Sequence, residues 1–345
     1  MWLLTIRDLT HRATRFVVVI LATAMVFTLL FLMTGLVEQF NQEPYLAVDA
    51  FGDQTWVVPA GVSGPITATS TLDPTVATNL EAEGLEPVLV ARGTLTVNGV
   101  RHEAVVIGLS PQSEVTPKLV SGDVLTGGPV VVVDESTGAA VGDVVRVSDT
   151  ELRVAGISGD TTLLAGQPLV FMNLPEARDT LFGGAPVTSA MLGTPGSLPP
   201  GTQTLTPNEV AADALGPLES AISSIDLIRL LLWAVAAIII GAVVYLSALE
   251  RSRDFAVMRA VGAPIAKLGG SLALQALAIA IVAVGVAAVL QFLVVPVFPL
   301  KVRVPVRSLW QLPLLAVAVS LVAAFGGMRR VRRTDPAQAF AGPGS

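Results

Sequence analysis

Four apolar runs, gathered at the two ends of the chain, decide most of what this sequence can become. They are Phe16 to Val37 (FVVVILATAMVFTLLFLMTGLV), Ile228 to Leu249 (IRLLLWAVAAIIIGAVVYLSAL), Leu268 to Val295 and Leu309 to Met328 (LWQLPLLAVAVSLVAAFGGM). A bilayer core of roughly 30 Å is crossed by about 20 apolar residues in a helix, and each run reaches that length. Between the first and the second lies a long polar stretch. The pattern predicts an α-helical membrane protein with four transmembrane helices and an inserted extracytoplasmic α+β domain between helices one and two. Composition agrees: 52% of the 345 residues are hydrophobic, 14% are charged, and the mean hydropathy is +0.70, too apolar for an ordinary soluble chain.

The first run has a rival reading as a signal peptide. Signal peptides carry an apolar region of roughly 7 to 15 residues before a small-x-small cleavage site. Phe16 to Val37 is longer and ends in Leu36-Val37-Glu38-Gln39-Phe40, so an uncleaved anchor is expected. Orientation follows from the basic residues near the helix ends. Arg7, Arg12 and Arg15 precede the first run; Arg251, Arg253, Arg259 and Lys267 lie between the second and third; Arg329, Arg330, Arg332 and Arg333 follow the fourth. These sides are expected to be cytoplasmic, as are both termini. Residues 38 to 229 then face outward with 23 acidic against seven basic side chains. Lys301, Arg303 and Arg307, on the connection between the last two runs, go against the rule but are outnumbered. Arg229 sits at the edge of its run, where it can snorkel.

The expected organisation is therefore an amphipathic lead-in at 1–15, a span at 16–37, the outer domain at 38–227, a span at 228–249, a cytoplasmic turn at 250–267, a span at 268–295, a short outer loop at 296–308, a span at 309–328 and a basic cytoplasmic tail at 329–345. The outer domain must hold itself together by burial, because the chain has no cysteine and hence no disulfide. At about 190 residues it is long enough to do so.

Its strands are legible in places. In Thr94 to Gly108 (TLTVNGVRHEAVVIG) the pair Asn98-Gly99 separates two β-rich runs, and a two-residue type I′ turn needs positive φ at both positions. Further strands are predicted at Pro129–Asp134, Asp143–Val147, Glu151–Ile157 and Gln167–Met172, and helices at Asp73–Gly84, Leu174–Phe182 and Pro207–Leu215. Asp134-Glu135 invites a reading as paired hydrolytic carboxylates, but it follows a strand and precedes Ser136-Thr137-Gly138; a solvated loop is expected. The Ser136–Gly142 stretch reads as turn chemistry.

The stretch Leu249 to Pro264 (LERSRDFAVMRAVGAP) puts charge between two membrane runs. Arg251 to Val261 has the length of a short helix stopped by Gly262 and Pro264. Phe255, Val257, Met258 and Val261 share one broad side, Arg253 and Arg259 lie away from it, and Arg251 and Asp254 intrude. One reading lays this helix among lipid headgroups with arginines on phosphate. The other makes it a docking knob for a cytoplasmic partner, with Phe255 and Met258 as anchors and the charges fixing register.

That stretch, together with the order of elements and the tail Arg333 to Phe340 (RTDPAQAF), resembles the FtsX/MacB/LolC-type, or type VII, permease subunits of ABC transporters. Glu250, Arg251, Arg253, Asp254, Phe255, Val257, Arg259, Ala260, Val261, Gly262 and Ala263 match the family's ER-x-R-[DE]-[FI]-x-[VI]-x-[RK]-A-[VIL]-G-A pattern. In the outer domain Val141 to Val145, followed by Leu152 to Ile157, looks like a second family segment, and Trp2 to Arg15 is similar to its lead-in helix. The resemblance implies location in a bacterial plasma (inner) membrane and a mechanism called mechanotransmission. A cytoplasmic ABC ATPase dimer, which binds ATP and Mg²⁺, grips the loop helix of each of two permeases, this chain and a second copy or paralogue, and its closure moves the outer domains. The outer domain is too compact for the two full subdomains of the macrolide-efflux members, which speaks against drug efflux with an outer-membrane partner.

Enzyme readings fail on the residues. No G-x-x-x-x-G-K-[ST] phosphate loop occurs, so ATP hydrolysis is expected in a partner and no cofactor, catalytic residue or nucleic-acid partner is assigned to this chain. His11 and His102 are the only histidines, too few for a metal cluster; His102 reads as a surface strand residue. In the spans, Gln275 and Gln291 are expected first as interhelical hydrogen-bond glue, and Pro313 as a kink or start of the last helix. Two functions remain: export or extraction of a hydrophobic, lipid-linked or peptide cargo, or signalling in which the outer domain activates a partner such as a peptidoglycan hydrolase. A fusion protein outside the membrane is a further candidate partner.

Overall fold

The computed structural model describes residues 13–67, 70–125, 127–250, 257, 265–298 and 300–331. In chain order its elements are helix α1 (Ala13–Asp49), β1 (Trp56–Pro59), α2 (Pro74–Ala82), β2 (Glu86–Val97), β3 (Val100–Leu109), β4 (Leu119–Gly122), β5 (Val130–Asp134), β6 (Val144–Val147), β7 (Thr150–Ser158), β8 (Thr162–Leu163), β9 (Gln167–Asn173), α3 (Leu174–Phe182), β10 (Ala190–Leu192), β11 (Thr202–Leu205), α4 (Pro207–Leu215), α5 (Glu219–Glu250), α6 (Ile265–Val294) and α7 (Ser308–Val331). They form two compact units, one of residues 39–222 and one of residues up to Glu38 and from Ser223 onward.

In the outer unit the strands form one sheet in the order β11-β1-β10-β2-β3-β9-β5-β7-β4. Strand β6 pairs with both β2 and β7, so β2-β3-β9-β5-β7-β6 closes on itself as a ring. Most pairs are antiparallel; β3 with β9 and β5 with β7 are parallel. Strand alternation sorts side chains to the two faces. Ala104, Val106, Val131, Val133, Val145, Val147, Val170 and Met172 belong to one core, while Val105, Ile107, Val132, Leu169 and Phe171 pack with Trp56 and Phe51 in another. Both faces of β5, of β9 and of β3 from Ala104 onward are therefore buried, which is why Val130–Val133, Leu169–Met172 and Val105–Ile107 read as apolar runs without alternation. The Asn98-Gly99 turn has φ of 49° and 82° and joins Val97 to Val100. The predicted strands and helices fall on β5, β6, β7, β9, α2, α3 and α4. Helix α4 begins with a capping box, Thr206 with Glu209, and Pro207 in the first turn.

The other unit is helical. Ala24, Phe27, Leu30 and Phe31 of α1, Ala236, Ile240, Val244 and Ala248 of α5, Leu272, Ala276, Ala280, Ala283 and Ala287 of α6, and Leu312 and Ala316 of α7 make its core. The i, i+4 spacing of alanines on α6 puts one smooth stripe inward, and Ile281, Val289 and Phe292 on the other side are more than half exposed. Among the described residues, three helical stretches are long and apolar enough to cross a membrane: Phe16–Asp49, Pro207–Glu250 and Leu272–Val297; the described apolar part of the last helix, Ser308–Val322, is shorter. Pro313 lies inside α7, near its start. Two helices run further than their apolar runs predict: α1 continues past Val37 to Asp49, and α5 already begins at Glu219.

Candidate functional site

The turn between α5 and α6 is the site that the sequence proposes. Glu250 is the last residue of α5, and Val257 is helical and exposed. Arg251, Arg253, Asp254, Phe255, Met258, Arg259, Ala260, Val261, Gly262 and Ala263 lie outside the described residues, as do the lead-in up to residue 12 and the tail from residue 332. What can be built is the frame that holds the two roots of this turn.

That frame is pinned by a polar contact in an otherwise apolar place. Gln275 of α6 donates through Nε2 to Ser247 Oγ of α5 at 2.8 Å, with both residues buried. Away from water an amide and a hydroxyl strongly prefer each other to hydrocarbon, so the bond fixes the register of α5 on α6 one turn before Glu250. Ala248 and Ala276 lie in the same buried cluster. This is the glue role expected of Gln275. Gln291 is equally buried, and its Oε1 has no hydrogen-bond partner among the described residues.

At the other end of the spans, the connection after α6 lies against α1. A Cβ added at Gly35 would sit 2.6 Å from Val302 Cγ1 and 3.0 Å from Val304 Cγ2, so only glycine lets this strap of chain come so close. One turn along α1, Glu38 forms an ion pair with Arg307. One of the three basic residues that run against the charge rule is thereby matched to a carboxylate rather than left to the aqueous side. Sequence reasoning missed Gly35 and Glu38; the isolated positive cluster at 301–307 was the signal that something acidic faces it.

Candidate chemistry in the outer unit is structural. Asp134, expected in a solvated loop, is completely buried. It accepts from Ser136 N at 2.9 Å, Thr161 N at 2.8 Å and Thr161 Oγ1 at 2.9 Å, and these donors offset the cost of burying its carboxyl group. Its neighbours form a 3₁₀ turn closed by Gly138 in the left-handed region. An open hollow between the 62–67 loop, β11 and α4 is lined by Ser63, Thr67, Gln203, Glu209 and Asp213. Its carboxylates are already engaged: Asp213 accepts from Ser63 and Thr67, and Glu209 caps α4. His102 is half-buried on β3, opposite Leu95. Among the described residues no group of three His, Asp or Glu could hold a metal. What the helical unit offers is a set of helices tied together at both ends.

Comparison with known proteins matches the two parts separately. Residues 227–336 match the FtsX-like permease C-terminal family, and residues 16–205 match the MacB-like periplasmic core domain. A protein of Mycobacterium bovis, named as an ABC transporter permease, is 36% identical over 344 residues, covering 98% of this chain and 99% of its own. One of Mycobacterium tuberculosis with the same description is 37% identical over 347 residues, with the same coverage. A crystal structure of the extracellular domain of the noncanonic ABC-type transporter YknZ from Gram-positive bacteria aligns with 44% of this chain and 98% of its own at 10% identity and a TM-score of 0.31.

Proposed function

Since this chain belongs to the FtsX-like ABC transporter permeases with a MacB-like periplasmic core, we propose that a separate cytoplasmic ATPase dimer drives its outer domain by gripping the turn between α5 and α6. The observation that carries this reading is helix continuity. Helix α1 is unbroken over 37 residues, about 55 Å at 1.5 Å per residue, and α5 over 32; each holds residues of both units. A bilayer core uses roughly 30 Å of such a length, and the remainder is available to carry an axial push or a tilt into the outer domain. The buried polar side chains of the spans support the same view. Within the apolar runs at 16–37, 228–249, 268–295 and 309–328, the buried polar side chains among the described residues, Thr23, Thr28, Ser247, Gln275, Gln291 and Ser320, are all uncharged, whereas an ion or proton path through the bilayer uses charged groups.

In this reading α7 is a fourth span, both termini are cytoplasmic in a bacterial plasma membrane, and ATP and Mg²⁺ sit in the partner ATPase. A second copy or a paralogue supplies the other half. The outer domain acts on a hydrophobic, lipid-linked or peptide cargo. Phe255 and Met258 are the anchors in the ATPase, and Glu250, Arg251, Arg253, Asp254 and Arg259 fix the register, with Val257 and Val261 completing the apolar side and Gly262 ending the helix. The test replaces Phe255 and Met258 together with Asp: co-purification of the ATPase should be lost while membrane insertion persists. Retained co-purification would remove the docking role. A complex that activates a hydrolase without moving any cargo would assign the signalling function instead.

A further inference from the structure

Glu43 is a buried carboxylate that nothing above employs. It is 1% exposed, near the end of α1. Its two oxygens accept separate backbone N–H groups, Gly166 N to Oε1 at 2.8 Å and Ala165 N to Oε2 at 3.1 Å, and the Thr162 side chain nearby favours its charged form. Taking a carboxylate out of water is costly unless donors replace it. The donors that offset this come from an unusual place. Leu164, Ala165 and Gly166, the whole tip of the β8–β9 hairpin, have φ of 52°, 68° and 94°. Left-handed backbone costs an ordinary residue about 1 kcal/mol, and here two such residues precede the glycine. Successive N–H groups in this geometry converge to make an anion-binding concavity, and the anion is a side chain of the same unit.

The hairpin is held at its base as well. Thr161, at its start, donates twice to Asp134, while Leu163 and Leu164 enter the core that contains Trp56, Phe171 and the α1 residues Ala47 and Val48. Strand β9 leaves the hairpin and pairs with both β3 and β5 in the closed ring. A carboxylate on α1 thus holds a loop that opens directly into the strand at the centre of the outer sheet.

From this arrangement we infer that Glu43 is the rivet through which movement of α1 is passed to β9, and so to the ring of strands; it is a positioning residue, and the hairpin tip is strained because it is built to fit the carboxylate. This rests on the proposed ATPase-driven motion. The test uses the full chain with its ATPase in lipid nanodiscs and reads amide hydrogen exchange over residues 161–173 with and without ATP. In the native protein ATP should change exchange there. Glu43→Gln keeps shape but offers one acceptor oxygen, and should shrink that ATP-dependent difference at least about fivefold while leaving any difference within α6 in place. Thr162→Val, which removes the nearby hydroxyl and keeps volume, should shrink it about twofold. If both variants alter exchange equally with and without ATP, so that the difference persists, Glu43 only stabilises the hairpin and the inference is wrong; the same holds for Thr162→Val alone should Glu43→Gln fail to fold. No ATP-dependent change anywhere in the native protein would remove the proposed motion itself, and this inference with it.

Discussion

The two units bury polar groups in opposite ways. The helical unit is packed with alanines against a few large side chains, and its clearest internal polar bond, Gln275 to Ser247, is between neutral groups. The outer unit is packed with valine, leucine and phenylalanine and holds the carboxylates Asp134, Asp213 and Glu43, each with several donors. The difference follows from the solvent. In lipid there is no hydrophobic gain in bringing apolar helices together, so close approach of small residues and an occasional neutral hydrogen bond must suffice. In water, burial of the valine-rich strands is strong enough to carry the desolvation of a charge, provided its donors are in place.

The largest effect expected from this contrast is at Asp134. Replacing it with Ala strands the buried Thr161 N–H and should cost about 3 kcal/mol, seen as faster hydrogen exchange of the β5 and β9 amides in the full chain. An effect as small as that of an exposed carboxylate would undo the comparison. Next is Gly35→Val, which forces the strap at Val302 and Val304 outward and should cost about 1–3 kcal/mol of thermal stability in detergent; an unchanged melting curve would show that the strap is not held there. Gln275→Leu should cost only about 1 kcal/mol in the same measurement. A loss as large as that of Asp134→Ala would mean that the membrane interior treats polar groups as the aqueous core does.

The smallest effect is a gain. Burial raises the pKa of Glu86 above its ordinary value, and the charge of Glu114 adds to the rise. A carboxyl with a raised folded-state pKa favours folding below its ordinary value and loses that benefit as pH climbs through the raised one. Glu86→Gln should therefore stabilise the outer unit by less than about 1 kcal/mol at pH 7 and not at all at pH 4, which melting at the two pH values would check.

How much of this was legible in the sequence varied with the range of the interaction. Asn98-Gly99 announced its hairpin because the turn type needs only those two residues. The strands β5 and β9 were legible because short unbroken apolar runs, VVVV and LVFM, mark strands buried on both faces. Asp134 was misread since its main donor, Thr161, is 27 residues away, and a polar pair after a strand looks like a loop from one side only. Glu43 was illegible for the same reason, with partners 122 residues on. The continuation of α1 beyond Val37 did leave a trace, in that Gln39, Phe40, Glu43, Ala47 and Val48, spaced by four, are all buried. The polar residues and Pro44 among them ended the apolar window before the helix ended. The turn at 250–264 was read from its pattern and the family resemblance, and the glue role of Gln275 from the cost of a lone amide in lipid; its partner Ser247, 28 residues away, left no such sign.

Everything functional depends on the arginine-bearing turn and the β-rich ring lying on opposite sides of the bilayer. Because the chain has no native cysteine, single cysteines at Gly99 and Ser252 can be probed in intact cells with a membrane-impermeant maleimide. Gly99→Cys should label at once, and Ser252→Cys only after the membrane is opened. Labelling of Ser252→Cys in intact cells, to the same extent as Gly99→Cys, would contradict the account.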